Sequence, residues 1–179
     1  MRQPQTPSPR TPLYAHASPY PEAGVTERNP QYAHLMNANF ASSQGEMSAI
    51  AQYLYQHWIF AETDRDFAAA IREITVVEMR HMDLFGELTV LLGGNPQLRV
   101  ITGDHPAFWS GSAPFYGRGL REALRANLRG EEQTILRYRR QATMIQDEKV
   151  RACLERVLLD EEMHRDFFAQ KLQQLENGS

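Results

Sequence analysis

The sequence predicts an all-α protein, a four-helix bundle with a long crossover between its second and third helices. Seven of the ten prolines lie at or before Pro30, which leaves two proline-free stretches, 31–95 and 115–179, of 65 residues each. Because proline breaks helices, both stretches are free to be helical, and apolar residues recur in both at steps of three and four. The two stretches also repeat each other's motifs. A chain of 179 residues suits one domain of this kind.

Each proline-free stretch is expected to hold two helices. Capping residues mark the four predicted starts, at Asn29-Pro30, Thr63-Asp64, Gly119 and Asp147-Glu148. Asn and Asp side chains accept hydrogen bonds from the free N–H groups of a first turn, and proline fits the first helical position. Gly93-Gly94 is expected to end the second helix, because glycine readily adopts the left-handed conformation common at helix C-termini. The bundle domain is therefore predicted to span residues 30–179.

Two segments lie outside the predicted helices. Residues 1–29 are proline-rich and are predicted to form an extended N-terminal arm. The crossover, 93–119, holds six of the eleven glycines and is longer than most connections. Two interpretations stay open for its centre, 100–116: a lid that controls access to a site, or a structural crossover that packs on the helices or at a dimer interface. The residues that motivate the lid are Asp104, His105, Phe108, Trp109 and Tyr116.

Composition excludes several classes of protein. One cysteine rules out a disulfide framework, a four-cysteine zinc site and an iron–sulfur cluster held by cysteine alone. A net charge of −3 gives no case for nucleic acid or a membrane surface as partner. No apolar run approaches the ~20 residues of a membrane helix, and the start of the chain lacks the apolar core of a secretory signal. A cytoplasmic protein is expected.

An internal repeat carries the residues of chemical interest. GEMSAIAQY (45–53) aligns with GEEQTILRY (130–138), and VEMRHMDLF (77–85) aligns with DEEMHRDFF (160–168). The first pair shares a Glu and a Tyr seven residues apart. The second pair shares Glu-x-x-His within an apolar stripe. Two similar helix pairs joined by a long connection predict a bundle with pseudo-two-fold symmetry.

The repeat predicts a metal site. Residues three apart share a helix face, so each Glu-x-x-His directs a carboxylate and an imidazole to one point. With one inward Glu from each remaining helix, four carboxylates and two imidazoles converge in an apolar interior, where ionised groups are costly unless compensated. Two divalent cations cancel four carboxylates while both imidazoles stay neutral. A single Glu-x-x-His is common on helix surfaces, but two in register inside apolar stripes are specific to di-metal carboxylate sites.

These motifs resemble the ferritin-like di-metal carboxylate superfamily, which includes bacterioferritin, rubrerythrin and the spore-coat and manganese-catalase branch. The resemblance covers residues 38–175 and implies a ferritin-like four-helix bundle. The Tyr-Pro pair (20–21) and the NPQYA motif (29–33) of the arm favour the manganese-catalase-like branch. The implied metal ligands are Glu46, Glu78, His81, Glu131, Glu161 and His164. In this family the first three serve mainly one ion, the last two serve the other, and two of the glutamates bridge.

Residues next to the implied ligands, in the sequence or on the same helix face, are assigned roles less directly than the ligands themselves are by resemblance. Glu131 is preferred to Glu132 as the ligand, because Glu132 is turned about 100° off the inward stripe. Tyr53 and Tyr138 are either phenols that bond carboxylates or donate an electron, or ordinary core tyrosines. Asp160 resembles the bacterioferritin Asp that steadies a ligand His. The repeat places Val77 at the matching position, which predicts two unequal metal sites.

Three further residues carry side chains that can bind metal or haem or react, but none is assigned to the site. His57 is interpreted as a histidine at the bundle end, and Cys153 as a small core residue. Met79 occupies the motif position at which bacterioferritin-like proteins bind haem. No haem is expected here, because one methionine by itself is weak evidence for a haem site.

The resemblance implies an iron or manganese oxidoreductase that reacts with peroxide or dioxygen, as a ferroxidase, peroxidase or catalase does. Carboxylate and imidazole donors suit both metals. The alternatives are an iron-storage protein and a structural coat-type protein. Only 15 residues follow His164, and they are expected to finish the fourth helix, which argues against a ferritin cage with its fifth helix. The expected partners are peroxide, dioxygen and metal ions, together with further copies of the chain in a dimer or larger homo-oligomer.

Overall fold

The predicted all-α bundle is confirmed by a computed structural model, which describes residues 14–102 and 105–178. Its elements in chain order are α1 Pro30–Ala41, α2 Glu46–Phe60, α3 Arg65–Leu91, β1 Arg99–Thr102, β2 His105–Phe108, α4 Leu120–Met144 and α5 Glu148–Asn177. Short connections make α2 and α3 one packed pair and α4 and α5 another. The crossover 93–119 joins the two pairs. No helix in the described part of the chain is long and apolar enough to span a membrane.

The four predicted helix starts agree with the first residues of α1, α3, α4 and α5 in the structure. The side chain of Asn29 accepts hydrogen bonds from the first turn of α1, and Pro30 is the first helical residue. Asp64 accepts from the amide of Phe67 at the start of α3. Asp147 does the same for α5, and Gly119 precedes α4. These caps supply partners for N–H groups that a helix cannot satisfy itself.

The first helix differs from the prediction, because it is broken into α1 and α2. Ser42 has extended backbone angles, and Gly45 precedes the first residue of α2. A Cβ atom on Gly45 would lie 2.5 Å from the carbonyl oxygen of Asn39, so this approach to the last turn of α1 needs glycine. The break makes Glu46 the first residue of α2, where the positive end of the helix dipole lies.

The crossover contains a feature that the sequence analysis did not predict. Strands β1 and β2 pair antiparallel, with Arg99 opposite Phe108. The side chains of β2 are exposed. Asp104, one of the proposed lid residues, lies outside the described residues, as do residues 1–13 of the arm. Residues 14–29 form neither helix nor strand and pack along the bundle. The division into arm and bundle domains stays a prediction.

The core forms two apolar clusters, one on each side of the polar residues at the centre of the bundle. One cluster contains Phe85, Leu88 and Tyr138, and the other contains Phe67 and Phe168. Apolar packing at both ends holds the central polar side chains away from water and in place.

Candidate metal centre

The six residues predicted as ligands meet at the centre of the bundle. All six have exposed fractions of 3 % or less. Their donor atoms form two overlapping groups, and within each group all of these atoms lie within 4.8 Å of one another. One group contains Glu46, Glu78, His81 and Glu161, and the other contains Glu78, Glu131, Glu161 and His164. Because Glu78 and Glu161 belong to both groups, they are the carboxylates placed to bridge two ions.

Four helices contribute to these six residues, which we call the cluster. Glu46 comes from the first turn of α2, whereas its repeat partner Glu131 lies in the middle of α4. α3 and α5 each provide a Glu and a His three residues apart. Glu132 points outward and is exposed, as the inward stripe predicted.

The two imidazoles present the same nitrogen to the carboxylates. His81 Nδ1 lies 3.1 Å from Glu78 Oε2 and 3.2 Å from Glu161 Oε1. His164 Nδ1 lies 2.9 Å from Glu78 Oε1 and 3.7 Å from Glu161 Oε2. Both Nδ1 atoms therefore face the space that the four carboxylates surround.

The outer nitrogens contact different acceptors. His81 Nε2 lies 3.1 Å from Asp160 Oδ2 and 3.1 Å from the hydroxyl oxygen of Tyr20. His164 Nε2 lies 3.0 Å from the main-chain carbonyl oxygen of Tyr14. A carbonyl oxygen only accepts, so His164 Nε2 is the donor. Asp160 thus steadies one histidine, and the arm supplies the support that Val77 does not.

Asp160 lies in a network of donors. Burial opposes its ionisation, but hydrogen bonds with His81, Tyr20 and Arg156 outweigh burial and lower its pKa to about 2. Arg156 also forms a salt bridge to Asp160 at 2.7 Å, and both side chains are buried. Asp160 is therefore a permanent anion beside His81.

Two tyrosines bond candidate ligands on the facing helix. The hydroxyl of Tyr53 on α2 donates to Glu131 on α4, and the hydroxyl of Tyr138 on α4 donates to Glu46 on α2. Both phenols are buried. Burial and the neighbouring carboxylates raise the pKa of each phenol well above its usual range, so both keep their protons.

When no metal is bound, the surroundings of Glu46, Glu131 and His164 favour their protonated forms. Burial raises the pKa of Glu46 well above the usual glutamate range, and two neighbouring carboxylates add to the rise. The pKa of Glu131 is raised in the same way. Burial alone would lower the pKa of His164, but the carboxylates of Glu78 and Glu161 raise it to about 9.

Three buried atoms of the cluster, Glu78 Oε1, Glu161 Oε1 and His164 Nδ1, form no well-aligned hydrogen bond with the described residues, although imidazole nitrogens and carboxylate oxygens of the cluster lie within ion-pair distance of one another. Buried polar atoms are rarely left without a partner, so such a concentration needs a further group. Carboxylate oxygen and imidazole nitrogen are the donors that iron and manganese accept. The residues present therefore fit a pair of divalent metal ions.

A cavity of about 170 Å³ lies between α2 and α4 and reaches the carboxylates. Glu46, Glu78 and Glu131 form its inner wall together with Tyr53. Ala113 from the crossover also lines it. This cavity connects the cluster to the side of the bundle that the crossover covers.

The crossover is held on α2 next to this cavity. Trp109 Nε1 donates to Ser48 Oγ at 2.9 Å, and the amide of Phe115 donates to Gln52 Oε1 at 2.7 Å. The hydroxyl of Tyr55 donates to the carbonyl of Tyr116 at 2.9 Å. His105 and Phe108 are exposed on β2. These contacts leave both interpretations of the crossover open.

The other residues considered in the sequence lie away from the cluster. His57 Nδ1 lies 2.8 Å from the carbonyl oxygen of Ala68, near the start of α3. Cys153 is buried in an apolar cluster. Met79 is 55 % exposed on the outer face of α3.

Sequence reasoning missed several supporting residues. Tyr14 and Tyr20 reach the histidines from the arm, and the sequence analysis assigned neither of them to the site. Two reciprocal amide pairs, Asn39 with Gln141 and Gln56 with Asn127, join facing helices. The repeat did contain a signal for the glutamines, since Gln56 and Gln141 each lie ten residues after an aligned Glu.

Comparison with known proteins identifies the family: the chain belongs to the ferritin-like domain family, whose model matches residues 41–177. A probable manganese catalase from Clostridium acetobutylicum is 26 % identical over 171 residues, which cover 86 % of this chain and 75 % of that protein. These findings confirm the predicted ferritin-like resemblance, and this relative belongs to the branch that the arm motif favoured.

Solved structures show the same fold. A manganese catalase from Anabaena superposes with a TM-score of 0.77 at 22 % identity, covering 90 % of this chain and 80 % of that chain. The bacterioferritin of Mycobacterium tuberculosis superposes with a TM-score of 0.68 at 26 % identity, covering 85 % of this chain and 90 % of that chain. The fold is thus shared by manganese catalases and bacterioferritins.

Proposed function

We propose that this protein is a di-metal oxidoreductase that holds two iron or two manganese ions and reacts with peroxide or dioxygen. The observation that carries the proposal is the pair of overlapping donor groups in the buried core. Glu46 and His81 would hold one ion, and Glu131 and His164 the other. The bridging carboxylates would be Glu78 and Glu161.

The summed charge of the six candidate ligands matches that of two divalent ions. Four ionised carboxylates and two neutral imidazoles carry four negative charges, which two divalent ions neutralise. This neutrality matters because an uncompensated charge in a buried site is strongly unfavourable. A pair of iron or manganese ions supplies two-electron exchange with peroxide or dioxygen, which one such ion does not readily provide.

The side chains around the cluster orient the candidate ligands. Tyr53 and Tyr138 each hold one carboxylate through a hydroxyl donor. Tyr53 also lines the cavity, so it holds Glu131 at the point where the cavity meets the cluster. Asp160 holds the ring of His81. In this proposal these groups keep the ligands in one arrangement while small molecules enter and leave.

The size of the cavity agrees with a small substrate. Its volume of about 170 Å³ accommodates a few molecules of the size of water or peroxide. Carboxylates lie at its inner end, and its small volume leaves no room for a large organic substrate.

The comparisons support both metals. The manganese catalase relative favours manganese and peroxide. The bacterioferritin similarity favours iron, and with it iron storage as a second candidate function. A structural coat-type role is the remaining alternative. Turnover of peroxide or dioxygen separates the oxidoreductase from the structural role, and the mass of iron retained per chain separates it from storage.

We also propose a cytoplasmic homo-oligomer. One buried, unpaired cysteine is typical of a reducing compartment. Val76, Met79 and Val90 on the outer face of α3 are each about half exposed and apolar, as in surfaces that meet a second subunit.

An oxygen electrode tests the proposal. Protein loaded with Mn(II) should evolve oxygen from hydrogen peroxide, or protein loaded with Fe(II) should consume oxygen or peroxide as the iron is oxidised. Glu161→Ala should abolish either reaction, whereas Glu162→Ala, a change at the neighbouring position, should leave it intact. Loaded wild-type protein with no reaction under either condition would contradict an oxidoreductase.

A further inference from the structure

Three side chains on one face of α5, each four residues from the next, hold the main chain of residues 14–20, which we call the strap. They are Arg156, Asp160 and His164. Arg156 donates from Nε to the carbonyl of Ser18 at 2.7 Å and from its terminal nitrogen to the carbonyl of His16 at 2.8 Å. The carboxylate of Asp160 accepts from the amide of His16 at 2.6 Å. These bonds fix the path of the strap along the bundle.

Tyr20 anchors the other end of the strap. Its ring lies between two guanidinium groups, with Arg80 at 3.7 Å and Arg156 at 3.9 Å from the ring centroid. Its hydroxyl donates to Asp160 and lies 3.1 Å from Nε2 of His81. Cation–π contacts on both faces restrict the ring, so the hydroxyl is held beside the imidazole.

The strap therefore touches the outer nitrogen of both histidines in the cluster. Tyr14 provides the carbonyl that accepts from His164, and Tyr20 provides a hydroxyl beside His81. An imidazole that donates from Nε2 presents an unprotonated Nδ1 when it is neutral, and such outer contacts fix ring orientation and donor strength in metal sites.

We propose that the strap is a working part of the metal centre, in which Tyr14 and Tyr20 are positioning residues for His164 and His81. Docking of the strap and binding of metal are then coupled. A docked strap raises the affinity for metal, and bound metal raises the stability of the docked strap by the same factor. The inference rests on the proposed function, since it needs the two histidines to be ligands.

Calorimetric titration of Mn(II) into the full chain tests the first half of this coupling. Tyr20→Phe keeps the ring between the arginines and removes only the hydroxyl. We expect it to weaken binding of one of two ions about tenfold, the lower end of the effect of losing such an outer contact. The matched control is Tyr32→Phe, whose hydroxyl accepts from the amide of Gln146 away from the cluster. It should bind both ions as wild type does.

A spectroscopic readout separates positioning from general destabilisation. The Mn(II) electron paramagnetic resonance spectrum should change in Tyr20→Phe and stay unchanged in Tyr32→Phe. If Tyr20→Phe does not fold, Arg156→Lys replaces it, because lysine keeps the charge but loses the fork that binds two carbonyls. Wild-type affinity together with an unchanged spectrum in the folded variant would overturn the strap proposal. Wild-type protein that binds no metal would instead overturn the proposed function.

Hydrogen exchange tests the second half of the coupling, in which bound metal stabilises the docked strap. Saturating Mn(II) should slow exchange of the strap amides about tenfold, including that of His16, which bonds Asp160. Thr26 lies in the same arm, but its amide bonds Asp147, the cap at the start of α5, at 2.6 Å and away from the strap. It serves as an internal control whose exchange should not change. Strap exchange that is equal with and without Mn(II) would contradict the coupling.

Discussion

The hydroxyl of Tyr138 on α4 donates a hydrogen bond to Glu46 on α2. In the equivalent bond, the hydroxyl of Tyr53 on α2 donates to Glu131 on α4. Each tyrosine lies seven residues after the glutamate of its own helix, about 10 Å along the axis and beyond hydrogen-bond reach. The bonds are therefore exchanged between the helices. A repeat that is local in sequence becomes a pair of cross-links between α2 and α4 at the level of the candidate metal centre.

Adjacent glutamates on α4 give a direct test of the candidate ligands. Glu131 is buried among the donor atoms, whereas its neighbour Glu132 is exposed. Glu131→Ala should lower the metal content from about two ions per chain towards one or none, because a buried oxygen donor is lost. Glu132→Ala should keep two. Elemental analysis of both variants measures this, and equal metal content in the two would assign Glu131 no role in binding.

Metal should stabilise the fold. Ions that bind only the folded chain add about 2.7 kcal/mol per site at a concentration of 100 times Kd. For a domain of this size each kcal/mol raises Tm by roughly 2–4 °C. We therefore expect differential scanning calorimetry to show a rise of at least about 5 °C with Mn(II) or Fe(II). Calcium, which prefers six to eight oxygen donors, is the control and should have little effect. Coincident melting curves with and without Mn(II) or Fe(II) would exclude a buried site.

Metal binding should become tighter as pH rises. Without metal, burial and neighbouring carboxylates raise the pKa values of Glu46 and Glu131 well above the usual glutamate range, and the carboxylates raise the pKa of His164 to about 9. The pKa of His81 is raised as well, since hydrogen bonds to nearby carboxylates outweigh its burial. Ligation requires ionised carboxylates and neutral imidazoles, so binding of metal should release protons.

Titrations in two buffers of different ionisation enthalpy measure this proton release. The apparent association constant should increase with pH below about pH 9, the folded-state value for His164. An association constant that is flat or falls over pH 6 to 8 would show that the cluster does not exchange protons for metal.

The buried amide pair of Asn39 and Gln141 should stabilise the register of α1 against α4. Each side chain donates to the other at 2.8 Å, and both are buried. Gln141→Leu leaves the amide of Asn39 without these bonds and should lower the free energy of unfolding by about 2 kcal/mol. Gln173→Leu, on the exposed part of α5, should change it by less than about 0.5 kcal/mol.

Urea denaturation of these variants gives the comparison. Adding Asn39→Leu to Gln141→Leu should recover part of the loss, since no unpaired amide then remains at this position. A loss for Gln141→Leu no larger than that of the exposed control would mean that the pair adds nothing to stability.

The crossover should limit which molecules reach the carboxylates. Ala113 lines the cavity, and the bond from Trp109 to Ser48 helps to hold this part of the crossover on α2. Trp109→Ala should leave metal content unchanged while a bulky alkyl hydroperoxide reacts faster relative to hydrogen peroxide. Phe108→Ala is the matched control, because Phe108 is 67 % exposed on β2. An unchanged ratio of rates, or dissociation into monomers, would assign the crossover a packing role only.

Features that depend on a few neighbouring residues were predictable from the sequence. Asn29, Asp64 and Asp147 cap helices as expected, since each cap bond joins residues only two or three apart. The choice of Glu131 over Glu132 followed from the turn of 100° per residue. The Glu-x-x-His repeats located the centre of the bundle for the same reason.

Other features needed the folded chain. The break between α1 and α2 depends on the approach of Gly45 to the carbonyl of Asn39, which helical periodicity does not reveal. Tyr14 supports His164 across 150 positions through a main-chain carbonyl. Every residue carries that group, so no side-chain pattern could have marked it. The sequence alone thus determined the helices and the inward carboxylates and imidazoles, because local geometry orients them. Tertiary packing decided which phenol, carboxylate or carbonyl supports each of them, because those partners meet only when distant segments dock.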